Sequence, residues 1–184
     1  MTVRRHDPER RDRIIDVCLD LIAEVGVAGV SHRKVAALAD VPLGSMTYHF
    51  AGMDELLREA FGRFSRGVSD GFEQRMSEAT DLAAARAAVV EIITQDVFDT
   101  QRDLVLTHEL YTLAAREPAF RELTNAWMAR SRAALERHFD PVTARMLDAL
   151  IEGLTIHRAL DTEVPRRETV TEAVRRITAS SDRV

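Results

Sequence analysis

Cysteine is all but missing. Cys18 is the only one in 184 residues, so neither an internal disulfide framework nor a cysteine-based metal cluster can form within the chain. Glycine and proline number 8 and 5. They fall largely between periodic segments rather than inside alternating ones, and no Val/Ile/Tyr-rich alternation with hairpin signals occurs, which disfavours a sheet protein. Unbroken apolar runs reach only a few residues, too short to cross a bilayer. The basic start MTVRRHDPERRDR is not followed by an apolar stretch and is not an export signal. The expectation is a cytoplasmic protein with no membrane partner. The six histidines, His6, His32, His49, His108, His138 and His157, form no His-x-x-x-His or His-Glu-x-x-His ligand set. No glycine-rich loop follows a strand, and Cys18 sits in an apolar helical stripe as inert core. No catalytic residue, metal or cofactor is expected.

What is present is ordinary for a folded domain: 46% hydrophobic and 30% charged residues, in a chain long enough to bury roughly 70% of its extended surface. The net charge is -5, yet the first thirteen residues hold five arginines against three acids. A mildly basic end on an acidic body suits contact with a polyanion at one end only.

Hydrophobic periodicity predicts an all-α chain of about nine helices. The first starts at Asp7-Pro8, carries Ile14, Ile15, Cys18, Leu21 and Ile22 on one stripe, and stops at Gly26. Ser31 caps a short second helix without a capping box, because Lys34 occupies the position a Glu or Gln would need. Asp40-Val41-Pro42 ends it, and a third short helix covers Leu43 to His49. Longer helices follow from Met53, from Asp81 to about Phe98, Arg102 to Ala115, Phe120 to Phe139, Pro141 to Leu160, and Thr169 to Ile177. A break at Ala51-Gly52 divides the chain into residues 1–52 and residues 53–184.

Helices as short as the second and third are marginal alone. They persist when a third helix holds them, as in a helix-turn-helix. Small Ala36 lets the next helix cross closely, Asp40 takes the turn position that favours positive φ, and Met46 supplies the apolar anchor. The second helix of the pair would present Leu43, Gly44, Ser45, Thr47, Tyr48 and His49 to solvent. These can reach bases and phosphates, although Arg, Asn and Gln, the strongest bidentate base readers, are missing. Ser31, His32, Arg33 and Lys34 crowd the start of the preceding helix, where free N–H groups favour a phosphate.

Over residues 11–61 the sequence resembles the N-terminal domain of the TetR family of bacterial transcriptional regulators. The resemblance is carried by Ile15, Leu21, Glu24 and Gly26, then Gly29, Ser31, Val35-Ala36, Val41, Gly44, His49-Phe50 and Glu55-Leu56. It implies nine or ten helices, a homodimer on a palindromic double-stranded DNA operator, usually repression, and release by a small-molecule effector held in the C-terminal domain. Three positions depart from the family: Thr47 stands where tyrosine is common, Asp40 where glycine is common, and Met53 where a phosphate-contacting lysine is usual. A helical ligand or protein interaction module that has lost DNA binding is the alternative that Met53 leaves open.

The remaining residues match the family mainly in helical layout. Phe61, Phe64, Phe98, Leu106, Tyr111, Phe120 and Trp127 are candidates for a mostly apolar pocket with His108 and Glu109 as polar fixers; each aromatic also reads as plain core. Met146, Ala149, Leu150, Gly153 and His157, with Val170, Val174 and Ile177 on the last helix, are candidates for a four-helix dimer face.

Overall fold

The computed structural model describes residues 9–96 and 100–179. Among them it contains nine α-helices and no strand: α1 (Arg10–Val25), α2 (His32–Leu38), α3 (Leu43–His49), α4 (Met53–Ser77), α5 (Leu82–Glu91), α6 (Gln101–Arg116), α7 (Pro118–Leu135), α8 (Pro141–Leu160) and α9 (Arg167–Ile177). The expected start at Asp7-Pro8 lies outside the described residues. The expected helix from Asp81 changes character at Ile92, where a π-helical turn runs to Asp96; Thr94 Oγ1 donates back to the Val90 carbonyl at 2.8 Å there, a side-chain bond that competes with the regular ladder.

Local chemistry accounts for the helix ends. Ser31 Oγ accepts from Lys34 N at 3.3 Å, Asp81 Oδ1 from Ala84 N at 2.7 Å, and Asp140 Oδ1 from Val142 N and Thr143 N at 3.0 Å each, all N-caps satisfying orphan amides. Pro118 and Pro141 open α7 and α8, where the missing N–H is harmless. Between α2 and α3, Asp40 adopts φ +52°, while Val41 N donates to Ala36 O at 3.0 Å and Asp40 N to Ala37 O at 3.4 Å. That is a Schellman closure with aspartate in the left-handed seat.

Two apolar cores stack along the molecule. The first joins Ile14, Cys18 and Ile22 of α1 to Val35, Met46 and Phe50, and continues into Leu56, Phe61, Leu106 and Phe120. It therefore runs unbroken past residue 52, from the three N-terminal helices into α4, α6 and α7. The second gathers Met76, Val89, Ile92, Leu135, Leu147, Val170 and Val174 under α5, α8 and α9. Burying α2 and α3 on this shared core, with Val35 and Met46 fully covered, is what holds two seven-residue helices in place.

Candidate nucleic-acid interface and ligand cavity

On α3 the exposed face is made by Leu43, Gly44, Thr47 and Tyr48, spaced so that two successive turns of the helix project together. Tyr48 is the most open of these, at 84% exposure, and its ring meets the His49 imidazole edge-on at 4.9 Å. His49 is half-buried; burial first, then the charges of Arg10 and Arg11, lower its pKa. The shift favours the neutral imidazole, which can both donate and accept a hydrogen bond. One expectation fails: Ser45, predicted on the solvent face, is only 8% exposed. The reason is rotational, since Ser45 and Met46 occupy the side of the helix turned toward α2, and Met46 is the anchor.

At the start of α2, Arg33 is exposed. Lys34 is exposed too, but its Nζ donates to the Gly29 carbonyl at 2.7 Å. The Nε2 of His32 is buried with no hydrogen-bond partner, an open valence beside the free amides of the helix start. The basic N-terminal residues serve the fold in part. Arg11 pairs with Glu59 at 3.0 Å and lies over the Phe50 ring at 5.3 Å, and Arg13 donates to the Ala39 carbonyl at 3.1 Å. Met53 packs against the first core, so the residue in the place of the usual lysine is absorbed by apolar burial.

The body of the molecule holds a small cavity of about 50 Å³ between α4, α6, α7 and α8. It is lined by Val68, Phe72, Thr107, Tyr111, Trp127, Met128, Ser131, Asp148, Ile151, Glu152 and Thr155. Of the pocket residues expected from sequence, Tyr111 and Trp127 line it, with ring centroids 6.1 Å apart. Phe61, Phe64, Leu106 and Phe120 do not; they are sealed in the first core, where Phe61 meets Phe120 and Phe64 meets Trp127 edge-to-face at 6.1 Å. Phe98 lies outside the described residues. His108 is half-buried and bonds its own helix, Nδ1 to the Leu104 carbonyl at 2.8 Å. Glu109 turns away from the cavity: a Cβ on Gly26 would lie 2.7 Å from its Oε1, so its carboxylate rests on the end of α1.

The polar residues that do line the cavity were missed. Burial pushes the carboxyl of Glu152 above its ordinary range, opposed by a hydrogen bond with the Tyr111 hydroxyl and worsened by Asp148. Burial likewise raises Asp148, against the pull of Arg132, whose Nη1 sits 3.1 Å from Asp148 Oδ2. The Tyr111 phenol is pushed up by burial and by these two acids. A signal existed: Asp148, Glu152 and Thr155 recur at spacings of four and three along α8, placing two acids on one face.

The expected dimer face divides. Met146, Ala149 and His157 of α8 are exposed, and Leu150 and Gly153 half-buried; with Val142 and Leu160 they form one long stripe, apolar except for His157, which faces Asp161 at 3.6 Å. Val170 and Val174 are corrected, because both are 1% exposed inside the protomer's own second core, packed toward α5. Ile177 is half-buried against the same core. No described helix is long and apolar enough to cross a membrane.

Two family models match the chain. Residues 14–60 match the model for bacterial regulatory proteins of the tetR family, and residues 77–180 that of the Tetracyclin repressor-like C-terminal domain. The structure of SCO7518 from Streptomyces coelicolor A3(2) is 60% identical with a TM-score of 0.88, covering 93% of this chain and 99% of that one. The multidrug binding protein EbrR in complex with ethidium is 34% identical with a TM-score of 0.76, covering 92% and 98%; its complexes with proflavin and malachite green match as well. The HTH-type transcriptional regulator BetI of Burkholderia mallei is 27% identical over 162 residues, 82% of each chain.

Proposed function

Because the chain belongs to the TetR family, and is a ligand-responsive DNA-binding transcriptional regulator, we propose that it represses from a palindromic operator and releases DNA when a flat aromatic cation enters the cavity. The exposed α3 face carries the first half of this reading. Tyr48, Thr47, Gly44 and Leu43 meet base edges, while Arg33, Lys34, His32 and Ser31 at the start of α2, with His49, position the backbone. Residues 1–52 do the reading and residues 53–184 bind the effector and a second copy. The partner copy packs along the α8 stripe, where a Cβ placed on Gly153 would have nothing within 4 Å, which leaves room for a close crossing.

The cavity supports the second half. EbrR holds ethidium, proflavin and malachite green, and here two carboxylates face two aromatic rings in a similar fold. A plane inserted between Tyr111 and Trp127 needs two spacings of roughly 3.5 Å, somewhat more than their 6.1 Å separation. Pockets for drug-sized ligands measure roughly 300–1,000 Å³, so the cavity of about 50 Å³ must open. An effector that binds only the opened state shifts the equilibrium away from the closed one. Opening moves α6, which carries Tyr111 on the cavity side, Arg102 paired to Asp20 of α1 at 2.9 Å, and Glu109 against Gly26. It also moves α4, whose Arg63 pairs with Asp12 and, at 2.7 Å, Asp16 of α1. A tenfold loss of operator affinity needs about 1.4 kcal/mol of coupling.

The test is fluorescence anisotropy with duplexes from upstream of the protein's own gene, at several salt concentrations. Tyr48→Ala removes discrimination between that DNA and random duplex; Arg33→Ala weakens both alike and lowers the salt slope by about one unit per subunit. Malachite green, added in place of an intercalator that would itself distort the operator, lowers affinity for wild type. Equal binding to both duplexes by wild-type protein would leave an interaction module without operator reading.

A further inference from the structure

The two carboxylates of the cavity are not equivalent. Asp148 is held by the Arg132 guanidinium at 3.1 Å, and the two side chains are equally covered, each 23% exposed. Glu152 forms no ion pair with a lysine or arginine among the described residues. It faces the Tyr111 hydroxyl and His108 from α6 and Asp148 from its own helix. Asp148 and Glu152 thus bring two negative charges to this end of the cavity, and the guanidinium paired with Asp148 brings one positive. The positive one belongs to the protein.

We propose that Arg132 sets the charge selectivity of the cavity: it fills the seat of a second ligand cation, so that the site accepts aromatic monocations at Glu152 and discriminates against dications. This rests on reading the cavity as the effector site. An incoming monocation displaces the Tyr111 hydroxyl as the partner of Glu152 and leaves the buried charges balanced. A dication brings one charge too many, and burying an uncompensated charge is costly. Removing the guanidinium frees Asp148 as a second anion on the adjacent turn of α8, and the same cavity then favours two positive charges.

Ethidium and propidium test this in the full chain, because they share one chromophore and differ by an added quaternary ammonium arm. Both are titrated by fluorescence without DNA, and the readout is the ethidium-to-propidium affinity ratio of each variant divided by that of wild type, which cancels the bulk of the arm. Arg132→Gln lowers this ratio at least tenfold, whereas Arg132→Lys, which keeps the charge, leaves it within threefold. Arg132→Gln combined with Asp148→Asn restores the wild-type ratio, having one anion again. Glu152→Gln and Asp148→Asn each weaken ethidium at least tenfold, since either leaves the cavity neutral. The single and double Arg132 variants are checked by circular dichroism; if the single variant does not fold, the double variant and Asp148→Asn decide alone, by the same figures. An unchanged ratio in folded Arg132→Gln overturns the proposal, as does full ethidium affinity in Asp148→Asn. Dyes that bind, with malachite green releasing DNA, but with ratios blind to Arg132 defeat this inference and leave the effector site standing. Failure of wild type to bind either dye removes both.

Discussion

Gly26 occupies a backbone conformation that a side chain should not tolerate. Its φ of +70° and ψ of 166° fall in the region that is essentially restricted to glycine, where other residues are strained by about 1–3 kcal/mol. Gly26 also sits where α1 stops, its N–H closing on the Ile22 carbonyl at 2.8 Å, with Glu109 of α6 against it. Gly26→Ala therefore meets two penalties of different kinds. The added Cβ lies 2.7 Å from Glu109 Oε1, but that oxygen is the far end of a flexible side chain and can swing away; the backbone strain has no such outlet. We expect a loss of about 1–3 kcal/mol, which for a chain of this size lowers Tm by roughly 2–12 °C, measured by circular dichroism at fixed protein concentration. In Gly26→Ala combined with Glu109→Ala most of the loss persists. Full rescue by Glu109→Ala would show that collision, not backbone strain, is the cost, and an unchanged Tm in the single variant would refute the assignment of the α1 stop.

Two other outcomes follow from the body of the protein. A Cβ on Gly153 would meet nothing within 4 Å in its own protomer and leucine adds helix propensity, so Gly153→Leu should leave the fold intact and give monomers by sedimentation; a retained dimer would place Gly153 off the interface. Because burial raises the Glu152 carboxyl in the folded state, that group supports folding while protonated, below its ordinary value near 4.5, and the support is lost as pH rises through the raised value. Glu152→Gln should accordingly raise Tm at pH 8 and by progressively less toward pH 4.5, and a gain of equal size at both ends would remove burial as the cause.

Much of this architecture was written locally. Helix ends at Gly26, Ser31, Asp40, Pro118 and Pro141 depend on groups within five residues of one another, because capping bonds, the Schellman closure and the i to i−4 ladder reach no further. Hence Ser31 without its capping box, and aspartate in the left-handed turn, were legible from spacing alone, as was the helix-turn-helix that they delimit. Apolar spacing likewise showed that α9 has one oily face. Which neighbour covers that face is a different matter: Val170 and Val174 close the protomer's own core, while the stripe on α8 stays open. The same limit governs the ligand site. Phe61, Phe64 and Phe120 have the composition of a pocket wall but are sealed in the first core, Phe61 on Phe120 and Phe64 on Trp127, and Ser45 is turned inward by the rotation that seats Met46. The cavity belongs instead to Tyr111, Trp127 and two acids of α8, with Arg132 of α7 reaching Asp148 across a helix pair. Periodicity determines the angle a residue makes with its own helix axis, whereas the crossing and rotation of packed helices determine what stands opposite, and that was settled only when α4, α6, α7 and α8 came together.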